Sequence, residues 1–197
     1  MNKPKLLLHI CCGVCGSHVP SLLIPEFNVT GYFENSNIYP YEEFIRRQKA
    51  TKTMTDKYNI ELIIPEYKDT KWYKAVRGLS QEPEGGKRCT KCIAYRLEET
   101  FKYAKKHNFE WVASTLSVGR MKNADTINQI GHELAKEYSL NFYEKNWRKQ
   151  NGEAISQIKA REACIYRQNY CGCVFSYTEK QKRIKAQQEQ LKNQKSN

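Results

Sequence analysis

KLLLHICCGVCGSHVP, residues 5–20, decides how the rest of the chain is read. Leu6 to Ile10 form an apolar run of strand length, and a helix-like segment opens at Ser17. In an α/β protein the loop between two such elements usually carries glycines and a Ser or Lys that cradle phosphate. Here three of the five residues from Cys11 to Cys15 are cysteines. The loop therefore offers metal ligands where ligands gather in this fold class.

Working outward, four more short apolar or β-prone segments follow: NVTGYFEN (28–35), IELIIPEY (60–67), EWVAST (110–115) and LNFYEK (140–145). Between them lie stretches with apolar residues at helical spacing and charge on the other face, at 39–58, 71–80, 91–107 and 123–138. A fifth helical stretch spans 152–168. The pattern predicts an α/β Rossmann-like domain, with a mainly parallel sheet of about five strands, helices on both faces and a helical C-terminal region. Ligands are expected beyond the carboxyl ends of the strands. A single domain over 1–177 includes the NYCGC segment. Residues 178–197 form a basic tail, with six Lys or Arg against two Glu and no aromatic residue. It reads as a frayed solvated helix or an RNA-facing extension.

Length and charge narrow the function classes. A chain of 197 residues, 40% hydrophobic, buries one sizeable core. Its 33 Lys plus Arg against 21 Asp plus Glu give a net charge of +12, which suits a polyanionic partner or a solubilising surface. No apolar run approaches the roughly 20 residues of a membrane span, and MNKPK enters a strand without a signal-peptide pattern. A cytoplasmic location is expected. Eight cysteines in a reducing compartment point to metal or redox chemistry before disulfides.

The cysteines fall into three groups: Cys11, Cys12 and Cys15; Cys89 and Cys92 in KRCTKCIAYR; and Cys171 and Cys173 in NYCGCVF. C-x-x-C at a helix start brings two thiolates to one ion, and Lys87, Arg88, Lys91 and the helix N–H groups favour the ionised form. Cys164, in REACIYR, reads as a small hydrophobe in mid-helix. Four thiolates suit zinc or an iron–sulfur cluster equally. Seven exceed four by three, and three ligands leave a metal with an open position. A vicinal pair such as Cys11 and Cys12 is expected to point its side chains apart and to serve adjacent centres.

LLHICCGVC, NSNIYPYEEFIRR, GKRCTKCIAYRLEET and YRQNYCGCVFS, in this order, resemble the cobalamin-independent epoxyqueuosine reductases of the QueH type. The resemblance spans about residues 5–177. It implies an oxidoreductase with a nucleotide-hydrolase-like Rossmann fold that makes the last reduction of queuosine biosynthesis, at the wobble base of tRNA. It also implies a 4Fe-4S cluster, an additional iron, an electron donor, and no cobalamin. Some members carry Asp at the position of Cys15, which marks Cys15 as the best candidate for the second metal. Cys164 lies outside the family pattern, and NSNIYP and STLSVGRMKN depart from the usual NPNIHP and TTLLVSPYQN-like loops. With neither a P-loop nor an SGG-type pyrophosphatase loop, ATP use is not expected.

Reducing an epoxide to an alkene takes two electrons and two protons and expels the oxygen as water. A Lewis acid that holds the oxygen eases the cleavage. His9, Tyr166 and Tyr170 lie near the cysteines in the chain and are candidate proton donors, although His9 also fits a core position at a strand end. Tyr39, Tyr41, Arg46 and Arg47 could stack on and grip an extruded anticodon base. Arg120 and Lys122, and similarly Trp147 and Arg148, could contact phosphate, or sit in solvated loops. The rival class is a zinc-stabilised, non-catalytic RNA-binding protein, which explains the charge but leaves three thiols unused.

Overall fold

A computed structural model describes residues 3–195; the outermost two residues at each end, part of the expected domain start and tail, lie outside them. Five parallel strands form one sheet: β1 (Lys5–His9), β2 (Asn28–Tyr32), β3 (Leu62–Ile63), β4 (Trp111–Ser114) and β5 (Asn141–Phe142). Their order is β3-β2-β1-β4-β5. Leu6, Leu7 and Leu8 of β1 are fully buried, as expected of a central parallel strand covered on both faces. The side chains alternate: Leu6 and Leu8 face one core layer, Leu7 the other. The expected Rossmann-like parallel sheet is thus the observed one, with its edge strands β3 and β5 reduced to two residues each.

The helices are α1 (Val19–Leu23), α2 (Tyr41–Lys57), α3 (Asp69–Ala75), α4 (Lys87–Lys106), α5 (Ala124–Tyr138), α6 (Gly152–Glu162) and α7 (Val174–Lys195). Ile93, Leu97, Phe101 and Ala104 make one stripe of α4, which packs with Leu134 and Ala135 of α5 against Leu7 and Val112. Asn123 caps α5, accepting from the N–H groups of Asp125 at 2.8 Å and Thr126 at 3.1 Å. On the opposite face Val19 and Leu23 of α1 and Ala160 of α6 cover Leu6 and Leu8.

Two sequence expectations change. The stretch 152–168 is not one helix: α6 stops at Glu162 and Cys164 takes φ 49°. The Cys164 N–H donates to Arg161 O and the Ile165 N–H to Ala160 O, a Schellman closure with cysteine where glycine is usual. Cys164 is therefore exposed and not a buried hydrophobe. The expected basic tail from Thr178 is helical and continues α7 from Val174.

The chain crosses from β1 to β2 and β3 on one side, then to β4 and β5 on the other, so the order reverses between β1 and β4. That switch point places residues 10–17 and 115–123 at a common crevice. Gly13 seats the first of these loops on α2, since a Cβ there would lie 2.8 Å from the backbone C and O of Ala50. Gly13→Ala should therefore destabilise the fold by about 2 kcal/mol, read as a fall of roughly 4–8 °C in thermal unfolding midpoint. An unchanged midpoint would show that the loop is free to move off α2.

Candidate metal centre

At the carboxyl end of β1 the backbone turns through a single 3-10 turn, Cys15–Ser17, before α1. β1 ends at His9, so Cys11 and Cys12 lie past the strand, where alternation no longer fixes neighbouring side chains on opposite sides. Instead the sulfur atoms of Cys11, Cys12 and Cys15 all lie within 4.8 Å of one another. The expectation that the vicinal pair diverges is corrected by this geometry. Among the described residues, this is the group of three or more ligating side chains that converges closely enough to hold an ion.

Hydrogen bonding with Cys11 and Cys15 holds Cys12 well below its ordinary pKa; Cys12 pushes Cys11 upward, and Cys11 and then Cys12 push Cys15 upward. Cys12 also accepts from Gln168 Nε2 at 2.9 Å and from the Cys15 N–H at 3.4 Å. Cys11 is tied to the neighbouring strand end: its N–H donates to Thr115 Oγ1 at 3.1 Å, and that hydroxyl donates to its sulfur at 3.4 Å. A thiolate stabilised by two thiols and an amide is a site ready to lose protons to a metal.

Cys89 and Cys92 occupy the first turns of α4, and Cys171 and Cys173 the turn into α7. Burial raises the pKa of both Cys89 and Cys92. Cys173 shares an apolar cluster with Trp72 and Val76, and Cys92 packs against it. Lys122 links the groups: its Nζ donates to Cys171 Sγ at 3.0 Å, and its stem lines the cavity that holds Cys11, Cys12 and Cys15. Burial works against the Lys122 ammonium, but Cys171, Cys92 and Cys89 outweigh it and the net shift is upward. Cys171 borders both this cavity, of about 420 Å³, and a second one lined by Cys89 and Cys173.

The surroundings suit anionic sulfur. Arg88 Nε is a buried donor with no partner beside the Cys89 and Cys173 group, while the buried Trp72 indole N–H favours the ionised form of Cys92. An orphaned donor is costly unless an acceptor completes it. The Gly85 N–H already donates to Cys89 Sγ at 3.1 Å. Buried Arg96 lends positive charge to Cys11 and Cys92, and buried Arg47 to Cys12. The donor set fits a thiolate-bound metal at Cys11, Cys12 and Cys15; among the described residues no three of Cys89, Cys92, Cys171 and Cys173 converge as closely.

Several candidate residues stand elsewhere than the sequence suggests. Arg47 is 2% exposed: Nε bonds Glu43 Oε1 at 2.8 Å, Nη1 donates to Cys171 O at 2.8 Å and Nη2 to Tyr170 O at 3.0 Å. It supports the cysteine turn and is not free to grip a base. Lys122 faces thiols instead of a solvated loop. His9 is fully buried behind the cysteine loop, with Nδ1 3.0 Å from Ser114 Oγ and Nε2 3.1 Å from Glu34 O. Burial, then Arg96, draws its pKa down to about 3, so the ring is neutral. Tyr166 donates to Glu43 Oε2 at 2.8 Å. Neither His9 nor Tyr166 is among the residues that line the cavity. Tyr170 does border it. Tyr39 and Tyr41 are 40% and 52% exposed, and Arg46 is exposed one turn farther along α2. Arg120 rims the cavity and pairs with Glu153 at 2.5 Å. Trp147 is a core residue whose Nε1 donates to Ser114 O at 2.8 Å, and Arg148 donates to Arg120 O. Sequence reasoning missed Arg96, Gln168 and Trp72, whose roles arise only from contacts across the fold.

A parallel sheet with three thiols clustered in its switch-point crevice defines a Rossmann-like α/β protein with a cysteine group able to hold a metal. A structure of similar fold is the predicted subunit of a tRNA methyltransferase from Methanocaldococcus jannaschii, at TM-score 0.52 and 9% identity over 78% of this chain and 76% of that one. Residues 6–179 match the family described as Epoxyqueuosine reductase QueH, and the chain belongs to that family of oxidoreductases. An epoxyqueuosine reductase QueH of Streptococcus pyogenes is 36% identical over 180 residues, 88% of this chain and 71% of its own. That of Thermotoga maritima is 35% identical over 184 residues, 90% and 93% of the two chains.

Removing the Arg47 charge strands Glu43 in the interior and releases two carbonyls. Arg47→Met should therefore cost about 3–5 kcal/mol, a fall of ~10 °C in unfolding midpoint. The Glu43→Gln, Arg47→Met double variant should regain part of that loss. Equal midpoints for the single and double variants would mean that the buried pair is not the source of the effect.

Proposed function

We propose that this chain reduces the epoxide of epoxyqueuosine at the wobble position of tRNA to the alkene of queuosine, in the cytoplasm, drawing on an iron–sulfur cluster and a neighbouring iron. The observation that carries this reading is the convergence of Cys11, Cys12 and Cys15 beside a second thiol group, with Cys171 bordering both cavities. Cys89, Cys92, Cys171 and Cys173 would supply four thiolates to a 4Fe-4S cluster, the number such a cluster takes, by drawing together on binding it. Cys11, Cys12 and Cys15 are three ligands for an iron with an open position. When bound, these groups supply electrons and a Lewis acid that holds the leaving oxygen.

The remaining residues do the supporting work. Lys122, Arg47 and Arg96 offset the negative charge of the thiolates, which a buried site cannot tolerate uncompensated. Gln168 and Thr115 orient Cys12 and Cys11 from outside the triad. The cavity mouth carries Arg120 and Arg183, which suits a base presented on a polyanion. The two electrons come from an external donor, and neither cobalamin nor ATP enters the scheme. Tyr39 and Tyr41, exposed beside the turn into α2, are candidates for stacking on the RNA, with Arg46 next to them.

The test is purification without oxygen, followed by iron and sulfide analysis, a visible spectrum, and turnover of epoxyqueuosine-containing tRNA. A brown protein that forms queuosine is expected; a colourless protein with stoichiometric zinc and no turnover would instead support the zinc-stabilised RNA-binding reading. Cys89→Ser and Cys92→Ser should each lose iron, sulfide and activity, whereas Cys164→Ser should lose none of them. Cys15→Asp keeps an anionic ligand of similar reach, so cluster absorption and measurable turnover should survive. Cys15→Ala should retain the cluster but lose the additional iron and most of the rate. Unchanged iron and rate in Cys15→Ala would make Cys15 a packing residue.

A further inference from the structure

Helix α7 begins at Val174, directly after Cys173, and runs for 22 residues. Its first turn packs on the body, with Ser176 buried and Phe175 facing Trp72. From Thr178 to Asn193 every residue except half-buried Lys180 is exposed. Ile184 and Leu191, 37% and 59% exposed, share one face seven residues apart, but Gln187 and Gln188 stand between them, so no continuous apolar stripe forms. Packing within the chain therefore gives no reason for this helix to project where it does.

Its charge does. Lys180, Lys182, Arg183 and Lys185 fall within a turn and a half, opposed there by Glu179 alone. Arg183 lines the cavity of Cys11, Cys12 and Cys15, and Lys182 lines the adjoining cavity of Cys89, Cys171 and Cys173. The same basic turn thus borders both cavities. Lys182 is held only by a surface pair with Glu179 at 3.0 Å, with side chains 69% and 59% exposed, a contact weak enough to yield to phosphate. At the root of the helix stands an aromatic ledge. The Lys180 ammonium and the Arg47 guanidinium each sit 5.0 Å from the Tyr170 ring, and Tyr177 meets both Tyr170 and Tyr39 edge-on at 5.6 Å and 5.5 Å. Tyr170 and Tyr177 are half-buried, and the ring they leave open is Tyr39; an exposed ring beside a basic helix is the composition of a nucleic-acid contact.

We infer that the Lys180–Lys185 turn of α7 is a backbone clamp for RNA, gripping phosphates next to the reacting nucleotide and holding that nucleotide over the cysteine cavity. This inference rests on the RNA-directed reading given above and adds the element that does the holding. An acidic protein partner, such as an electron donor, would also meet a basic helix. The aromatic ledge and the direct flanking of the cavity mouths favour RNA.

The full-length, metal-loaded protein is compared with the triple variant Lys182→Gln, Arg183→Gln, Lys185→Gln, which keeps helix propensity while removing three charges. Binding to tRNA is measured from low to physiological salt, alongside iron per chain and steady-state reduction with dithionite. The variant should keep wild-type iron, bind tRNA on the order of 10-fold more weakly, and show a log–log salt slope smaller by roughly 2–3. Its KM for tRNA should rise by more than its kcat falls. A variant with wild-type affinity and salt slope overturns the clamp. If its only defect is slower turnover with a protein reductant, the helix is a donor-docking face. Should the wild-type protein neither bind nor reduce tRNA, the RNA reading itself fails, and the clamp with it.

Discussion

The structure around the cysteines depends on one buried ion pair. Glu43 and Arg47 lie one turn apart on α2, with side chains 6% and 3% exposed, and two charges taken so far out of water demand full hydrogen bonding. The guanidinium meets that demand by reaching across to the carbonyls of Tyr170 and Cys171, and the carboxylate by accepting from Tyr166. A pair that needs these partners fixes the turn that carries Cys171 and Cys173 against α2. The same guanidinium favours the Cys12 thiolate. Segments more than 100 residues apart in sequence thus meet because two charges cannot be left unsatisfied.

That logic extends across the crevice. Arg96 on α4 bonds the Asn35 side chain and Glu34 O, and Asn35 in turn donates to Ile10 O at 2.9 Å, at the strand end that precedes the cysteine loop. Lys122 closes the third side. Two buried guanidiniums, Arg47 from α2 and Arg96 from α4, and the half-buried Lys122 from the loop after β4 stand beside the thiols, and both guanidiniums are anchored by protein groups before any metal arrives. Thiolates in such a frame lose less on ionisation than they would among apolar neighbours.

Local pattern made much of this legible. The β1 run, the C-x-x-C at the head of α4 and the parallel strand set follow from periodicity and position, and Cys11, Cys12 and Cys15 do gather at the switch point. Legibility failed where a residue's fate is set by distant chain. Arg47 shows an ordinary i, i+4 pairing with Glu43, which on most helices means a solvated face; only the CGC turn docked above it turns that face inward. Gln168 meets Cys12 across 156 positions, and no spacing rule links them. Cys164 was hidden for the opposite reason: the helix ends there without the glycine that normally announces a left-handed closure.

Gly172, between Cys171 and Cys173, has φ 133°, and a Cβ on it would stand 2.8 Å from Arg47 Nη1. The vacant side chain of one position is thus the space that the guanidinium of another occupies. A single replacement at 172 collides with the buried cation as well as straining the backbone, while loss of the cation opens room that nothing fills. The two sites are therefore locked together in sequence drift: in a lineage where position 47 becomes short and uncharged, glycine at 172 is required only for its backbone angle, and the steric half of the constraint disappears.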